Sequence, residues 1–141
     1  MADIKDHRDL EAWQVAMDAV MKTYALTTEF PKSETYGLSR QMRRAAVSVP
    51  SNIAEGQARR ATGAFLNHLG IALGSFAELD TQLEVAFRLG YASLTQMQNL
   101  KKCVDSGRRL LPGLRRSQQK RLVMTGAAWA GWIILAFRLF A

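Results

Sequence analysis

LSRQMRRAAVSVPSNIAEG, residues 38–56, decides the fold. Its apolar positions are Leu38, Met42, Ala45 with Ala46, Val49 and Ile53. They recur at steps of three and four, the period of one face of an α-helix. Pro50 sits inside the run. Proline removes one backbone hydrogen bond and crowds the carbonyl four residues back, here that of Ala46. The stripe keeps its phase from Val49 to Ile53, so the segment reads as a kinked helix. A fresh start at an Asn52–Glu55 capping box is the alternative. Ser33 is expected to cap this helix with Glu34 in its first turn, and Gly56 to end it.

Three more helices read outward from this one. The first is expected to start at Asp9 as N-cap, with Glu11 in its first turn, and to stop before Pro31. Leu10, Trp13, Met17, Val20 with Met21, and Tyr24 recur at steps of three and four and read as its one apolar stripe. The third is expected to start at a Thr62 cap, turn Phe65, Leu69, Leu73, Phe76, Leu83 and Phe87 inward, and end at Gly90. Ser93 and Gln96 have capping-box spacing for the fourth, whose stripe is Leu94, Met97, Leu100, Val104, Leu111 and Leu114. Pro112-Gly113 is expected to kink or break that helix. Four amphipathic helices with short connections predict an all-α, antiparallel up-and-down four-helix bundle over residues 1–121. An apolar C-terminal extension, residues 122–141, follows.

The chain has 141 residues, 48% hydrophobic and 22% charged, enough for one domain with a core of its own. A single cysteine, Cys103, rules out an internal disulfide and suits a reducing cytoplasm. Met1 to Asp9 is charged and lacks the apolar core of a signal peptide.

Charge is concentrated. Residues 101–121 hold eight Lys/Arg and one Asp, whereas residues 1–100 hold ten Lys/Arg against eleven Asp/Glu. Lys101-Lys102, Arg108-Arg109 and Arg115-Arg116 repeat at seven-residue steps, and Lys120-Arg121 follows. Seven residues drift only about 20° around a helix, so each series forms a stripe. Lys102, Arg109 and Arg116 point away from the apolar face; Lys101, Arg108 and Arg115 flank it. Arg59-Arg60 adds two more cations. Such a segment predicts a polyanionic partner, either an RNA or DNA backbone or an anionic membrane surface. A solvated face is the plainer reading of any charge run. No aromatic residue interleaves with residues 101–121, so backbone contact is expected rather than base stacking.

The tail differs from the rest. Leu122–Phe137 is a run of 16 uncharged residues with Trp129 and Trp132, closed by Arg138, which is placed to snorkel to a far interface. A membrane span needs about 20 apolar residues. The tail is therefore an anchor that makes the protein membrane-associated, an extra helix folded back on the bundle, or a segment packed in an oligomer seam.

Chemistry is not written in the chain. His7, His68 and Cys103 show no metal-ligand spacing and no nucleophile–base signature, and no cofactor motif is present. Glu78, Asp80 and Glu84 cluster on the third helix as a solvated face or as partners for bundle salt bridges. We read the protein as non-catalytic, with no cofactor and no metal. Gly70 and Gly74, one turn apart, are expected at a close helix crossing against Ala45 and Ala46.

The stretch from Asp9 to Gln14, the run from Gln41 to Gly56, Ile71 to Leu83, and Leu89 to Tyr91 together resemble the bacterial four-helix-bundle family of 23S rRNA intervening-sequence proteins. The resemblance runs from about residue 8 to about residue 115. It implies a four-helix bundle, and most of the family's members have no assigned activity. Its relative, the accessory variability determinant of diversity-generating retroelements, implies a homo-oligomer (a homopentamer in that protein), nucleic-acid binding and partnership with a reverse transcriptase. The family pattern also implies that Arg43, Arg44, Asn52, Glu55 and Glu78 form buried polar pairs between helices. The residues expected at phosphate are then Arg59, Arg60, Lys101, Lys102, Arg108, Arg109, Arg115, Arg116, Lys120 and Arg121. Gly63-Ala64, Pro112 and the tail after Arg121 depart from the family pattern.

Overall fold

The computed structural model describes residues 4–140, with side chains to residue 136. It contains α1 (Glu11–Thr28), α2 (Leu38–Ala58), α3 (Thr62–Arg88) and α4 (Leu94–Phe140). Consecutive helices pack on one another and α1 packs on α4, which closes the ring. Met42, Val49 and Ile53 of α2, Leu69, Phe76, Leu79 and Leu83 of α3, and Leu100, Val104 and Leu111 of α4 fill its centre.

α1 buries a different face from the one its large residues suggested. Ala12, Ala16, Ala19, Val20, Thr23, Leu26 and Thr27 are inside, while Met21 is 66% exposed and Tyr24 42% exposed. Small side chains let the neighbouring helices approach closely. The Thr23 and Thr27 hydroxyls are buried without cost because each donates to the carbonyl four residues back, Ala19 O and Thr23 O, at 2.7 Å.

Several helix ends also lie elsewhere than expected. Asp9 does not cap α1. It closes a 3-10 turn, His7–Asp9, in which the Asp6 carboxylate accepts from Arg8 N at 2.8 Å and Asp9 Oδ2 accepts from Asp6 N at 3.0 Å. Ser33 does not cap α2. It lies in a second 3-10 turn, Lys32–Glu34, and Glu34 Oε2 reaches forward to accept from Leu38 N at 2.9 Å. Thr62 is the first residue of α3 rather than its cap, a position held by Ala61.

The prolines and glycines behave in a related way. α2 runs through Pro50 to Ala58, and α4 runs through Pro112 without a break. Leu111 is fully buried beside Pro112, so packing outweighs the one lost backbone bond. Gly56 does not end α2. It is buried against α3, where a Cβ would lie 2.7 Å from His68 Cβ and 3.0 Å from Phe65 Cδ2. The close crossing expected at Gly70 and Gly74 is absent, because a Cβ at either would meet nothing within 4 Å. The second close approach is at Gly107, where a Cβ would run into the Phe76 ring.

Two ends match their sequence signals. Gly90, at φ 76°, closes α3 as the left-handed residue of a Schellman turn: Gly90 N donates to Phe87 O at 3.0 Å and Tyr91 N to Ala86 O at 2.9 Å. Ser93 and Gln96 form the reciprocal box at the start of α4, at 2.9 and 3.2 Å.

The tail is neither a fifth helix nor folded back. α4 continues across residue 121, and every described side chain from Lys120 onward is exposed. The Arg138 side chain and residue 141 lie outside the described residues. Among the described residues no helix is long and apolar enough to cross a membrane.

Candidate nucleic-acid interface

The outer face of α4 follows from its inner one. Leu100, Val104, Gly107, Leu111 and Gln118 are buried and fall within about 60° of one another at 100° per residue. Lys102, Arg109, Arg116 and Lys120 fall within about 40° on the opposite side, and all four are exposed. The line from Lys102 to Lys120 is about 27 Å long at 1.5 Å per residue. Among the described residues none of the four takes part in an ion pair; Arg109 donates to Ser106 Oγ at 3.2 Å. Lys120 completes a series that seven-residue counting ended at Arg116.

Two of the expected contacts are already neutralised. Lys101 Nζ lies 2.9 Å from Asp80 Oδ1 and 3.3 Å from Asp105 Oδ1, and Arg108 Nη1 lies 2.7 Å from Asp80 Oδ2. This cluster ties α4 to α3. The hydrogen bond to Asp80, then that to Asp105, holds the Lys101 ammonium above the usual lysine range against partial burial. A raised lysine pKa lends stability that is present at neutral pH. That contribution is lost only in alkali, above the ordinary lysine pKa.

The remaining cations divide. Arg115 and Arg121 are exposed, and neither pairs with a described carboxylate. Arg59 pairs with Glu55 at 2.7 Å one turn before it, and that contact, then His68, draws the Glu55 carboxyl below its usual range. Arg60 stands in the left-handed region at φ 54°, a conformation that costs a non-glycine residue of the order of 1 kcal/mol. The chain thereby turns from α2 into α3 in three residues. Arg60 and Arg121, distant in sequence, line one cleft of about 770 Å³ with Lys5, His7 and Gln118. Lys5 and Gln118 were not singled out in the sequence, since neither belongs to a charge run or an apolar stripe.

The five residues expected in buried polar pairs behave individually. Arg43 joins α2 to α1, but through Thr27 Oγ1 at 2.8 Å and the Tyr24 ring at 4.7 Å rather than through a carboxylate. Asn52 joins α2 to α3: its Nδ2 donates to Ser48 O at 2.8 Å and its Oδ1 meets His68 Nδ1 at 2.9 Å. In that contact His68 Nδ1 is the donor, because an amide oxygen only accepts. Ser48 and Ser75 hydroxyls extend the same seam at 2.9 Å. Glu55 and Glu78 are exposed; Glu78 Oε1 accepts from Gln82 on its own helix at 3.1 Å. Arg44 is exposed on the surface and makes no interhelical pair among the described residues.

Similarity to known proteins agrees with this architecture. A family model described as 23S rRNA-intervening sequence protein matches residues 8–113. A crystal structure of a protein with unknown function, from the S23 ribosomal protein family of Bacteroides thetaiotaomicron, superposes with a TM-score of 0.69 at 21% identity. The match covers 74% of this chain and 95% of that one, and at this identity it speaks for the fold. No curated protein matches the chain.

Proposed function

The chain belongs to the 23S rRNA-intervening sequence protein family, and we propose that it is a non-catalytic accessory protein that binds the backbone of RNA or DNA through the outer face of α4. One observation carries the reading: the exposed line Lys102, Arg109, Arg116 and Lys120, which makes no ion pair among the described residues, on a stretch with no Asp or Glu after Asp105. Like charges so placed repel one another. A phosphate backbone relieves that repulsion and releases counterions on binding. The cleft holding Arg60 and Arg121 gives a second point of contact at the bundle end.

The test is binding of the full chain to duplex DNA and to RNA across a salt series. Four contacts on duplex DNA imply an affinity that falls about 150-fold between 50 and 200 mM salt. With Lys102, Arg109 and Arg116 all changed to Gln, three contacts are lost and the fall shrinks by about 40-fold. Asp80→Asn releases Arg108 and leaves Lys101 with Asp105 alone, so it is expected to tighten binding while loosening the α3–α4 seam. Binding that ignores salt, or an unchanged salt slope in the triple variant, returns this face to a solvated surface.

The same proposal makes the protein a homo-oligomer, which multiplies the basic face. Its support is the α1 side bearing Trp13, Met17, Met21 and Tyr24, which the bundle leaves half-buried or exposed. A monomeric mass by light scattering would remove that part of the proposal.

A further inference from the structure

We propose that the end of α4 inserts into an anionic lipid surface and holds the bundle beside it. The inference does not rest on the nucleic-acid reading. Among the described side chains of α4, Gln118 is the last that is buried. Beyond it Val123, Met124, Trp129, Trp132, Ile134 and Leu135 are each between 51% and 72% exposed. At 100° per residue these six, with Leu122 and Ile133, point in every direction around the axis. The one hydroxyl among them, on Thr125, is turned back onto Arg121 O at 2.7 Å. The segment therefore has no polar face.

That geometry decides among occupants. A groove on another protein, or a second copy of this helix, covers one side and leaves the other in water. A helix that is apolar all round is satisfied only by a surrounding apolar phase. Lipid supplies one. Charge agrees: Arg115, Arg116, Lys120 and Arg121 form a collar immediately before the apolar run, and residues 106–141 contain no Asp or Glu. Basic clusters abutting an apolar segment are attracted to anionic headgroups, and tryptophan favours the boundary between headgroups and tails. The uncharged run 122–137, closed by Arg138, spans about 24 Å as a helix, short of the about 30 Å hydrocarbon core, so we infer entry from one side rather than a crossing. Lys102 and Arg109 lie about 20–30 Å back along α4 from Leu122, which leaves them clear of the headgroups.

The test uses the full chain with vesicles of phosphatidylcholine alone and of phosphatidylcholine mixed with phosphatidylglycerol. The protein is expected to float with the mixed vesicles about tenfold better than with the neutral ones. Brominated lipid tails should quench its fluorescence, and Trp129→Phe with Trp132→Phe should abolish that quenching, since Trp13 sits in the bundle against His7. Val123→Glu with Ile134→Glu changes positions that pack on nothing. This variant is expected to keep its helical circular dichroism and its DNA binding but to lose flotation by about tenfold or more. Three results would overturn the proposal. One is no flotation with anionic vesicles. Another is flotation unchanged by the two glutamates and displaced by RNA, which would assign lipid attraction to the basic face alone. The third is a lipid-free shift of Trp129 and Trp132 emission that grows with protein concentration, which would make a second copy the occupant.

Discussion

Phe76→Ala is expected to lower stability by about 3–5 kcal/mol, the cost of emptying a packed aromatic site. The Phe76 side chain is fully buried and fills the seam between α3 and α4 where Gly107 brings the helices together. Removing the ring loses its transfer free energy and leaves a void that the backbones close only in part. A domain of this kind has about 5–15 kcal/mol in total, so the variant should sit near the edge of folding. Urea denaturation followed by circular dichroism measures the effect as a fall in midpoint. A loss below about 1 kcal/mol would mean that the ring is not in a close-packed core.

The second large effect has the opposite chemistry. Replacing a glycine inside a helix ordinarily helps, by roughly 0.5–1 kcal/mol for alanine. Gly107→Val is expected to cost about 3 kcal/mol instead, at the upper end of overpacking penalties. Its Cβ would enter the space of the Phe76 ring, and that ring has no solvent side to move toward. Phe76→Leu vacates part of that space. The double variant should therefore be more stable than the sum of the two single losses by about 1 kcal/mol or more. Strict additivity would show that the two residues do not share the site. Gly70, where a Cβ meets open space, serves as the internal control in which alanine is tolerated.

These core variants and the charge variants report on different things. Lys102, Arg109, Arg116 and Lys120 are exposed and make no ion pair among the described residues, so neutralising them should change binding with little change in folding. Asp80 lies between the two groups. It joins α3 to α4 and decides how many cations α4 presents, so its loss should move stability and polyanion affinity in opposite directions.

How far the chain could be read depended on the range of each signal. The stripes of α2, α3 and α4, the Schellman turn at Gly90 and the Ser93–Gln96 box were legible because each involves residues within a turn or two of one another. The starts of α1 and α2 were not. α1 starts behind Leu10 with no side-chain cap, after a 3-10 turn that Asp6 caps, and Leu38 N at the start of α2 is met by Glu34 from the other 3-10 turn; such turns leave no periodic trace. The buried side of α1 was misread because it is built of alanine and threonine. Counting large apolar residues overlooks a face whose purpose is close approach. The family resemblance supplied the bundle and most of its extent, yet it placed Arg43 and Arg44 together in polar pairs, where only Arg43 joins two helices.

By itself the sequence determined that the protein is a four-helix bundle of this family, that its excess charge lies on the last helix, and that an apolar segment follows. Periodicity and composition belong to one segment at a time, so they survive without coordinates. Tertiary structure alone decided that Lys101 and Arg108 are held by a carboxylate while Lys102 and Arg109 stand in water, because Asp80, 21 residues before Lys101 and 28 before Arg108, is brought beside that pair by the packing of α3 on α4. It also decided that Gly56 and Gly107, rather than Gly70 and Gly74, are the glycines the packing requires. A glycine shows in the sequence, but the atoms that would meet its missing Cβ belong to another helix. Only the packing of one helix on the next places them there.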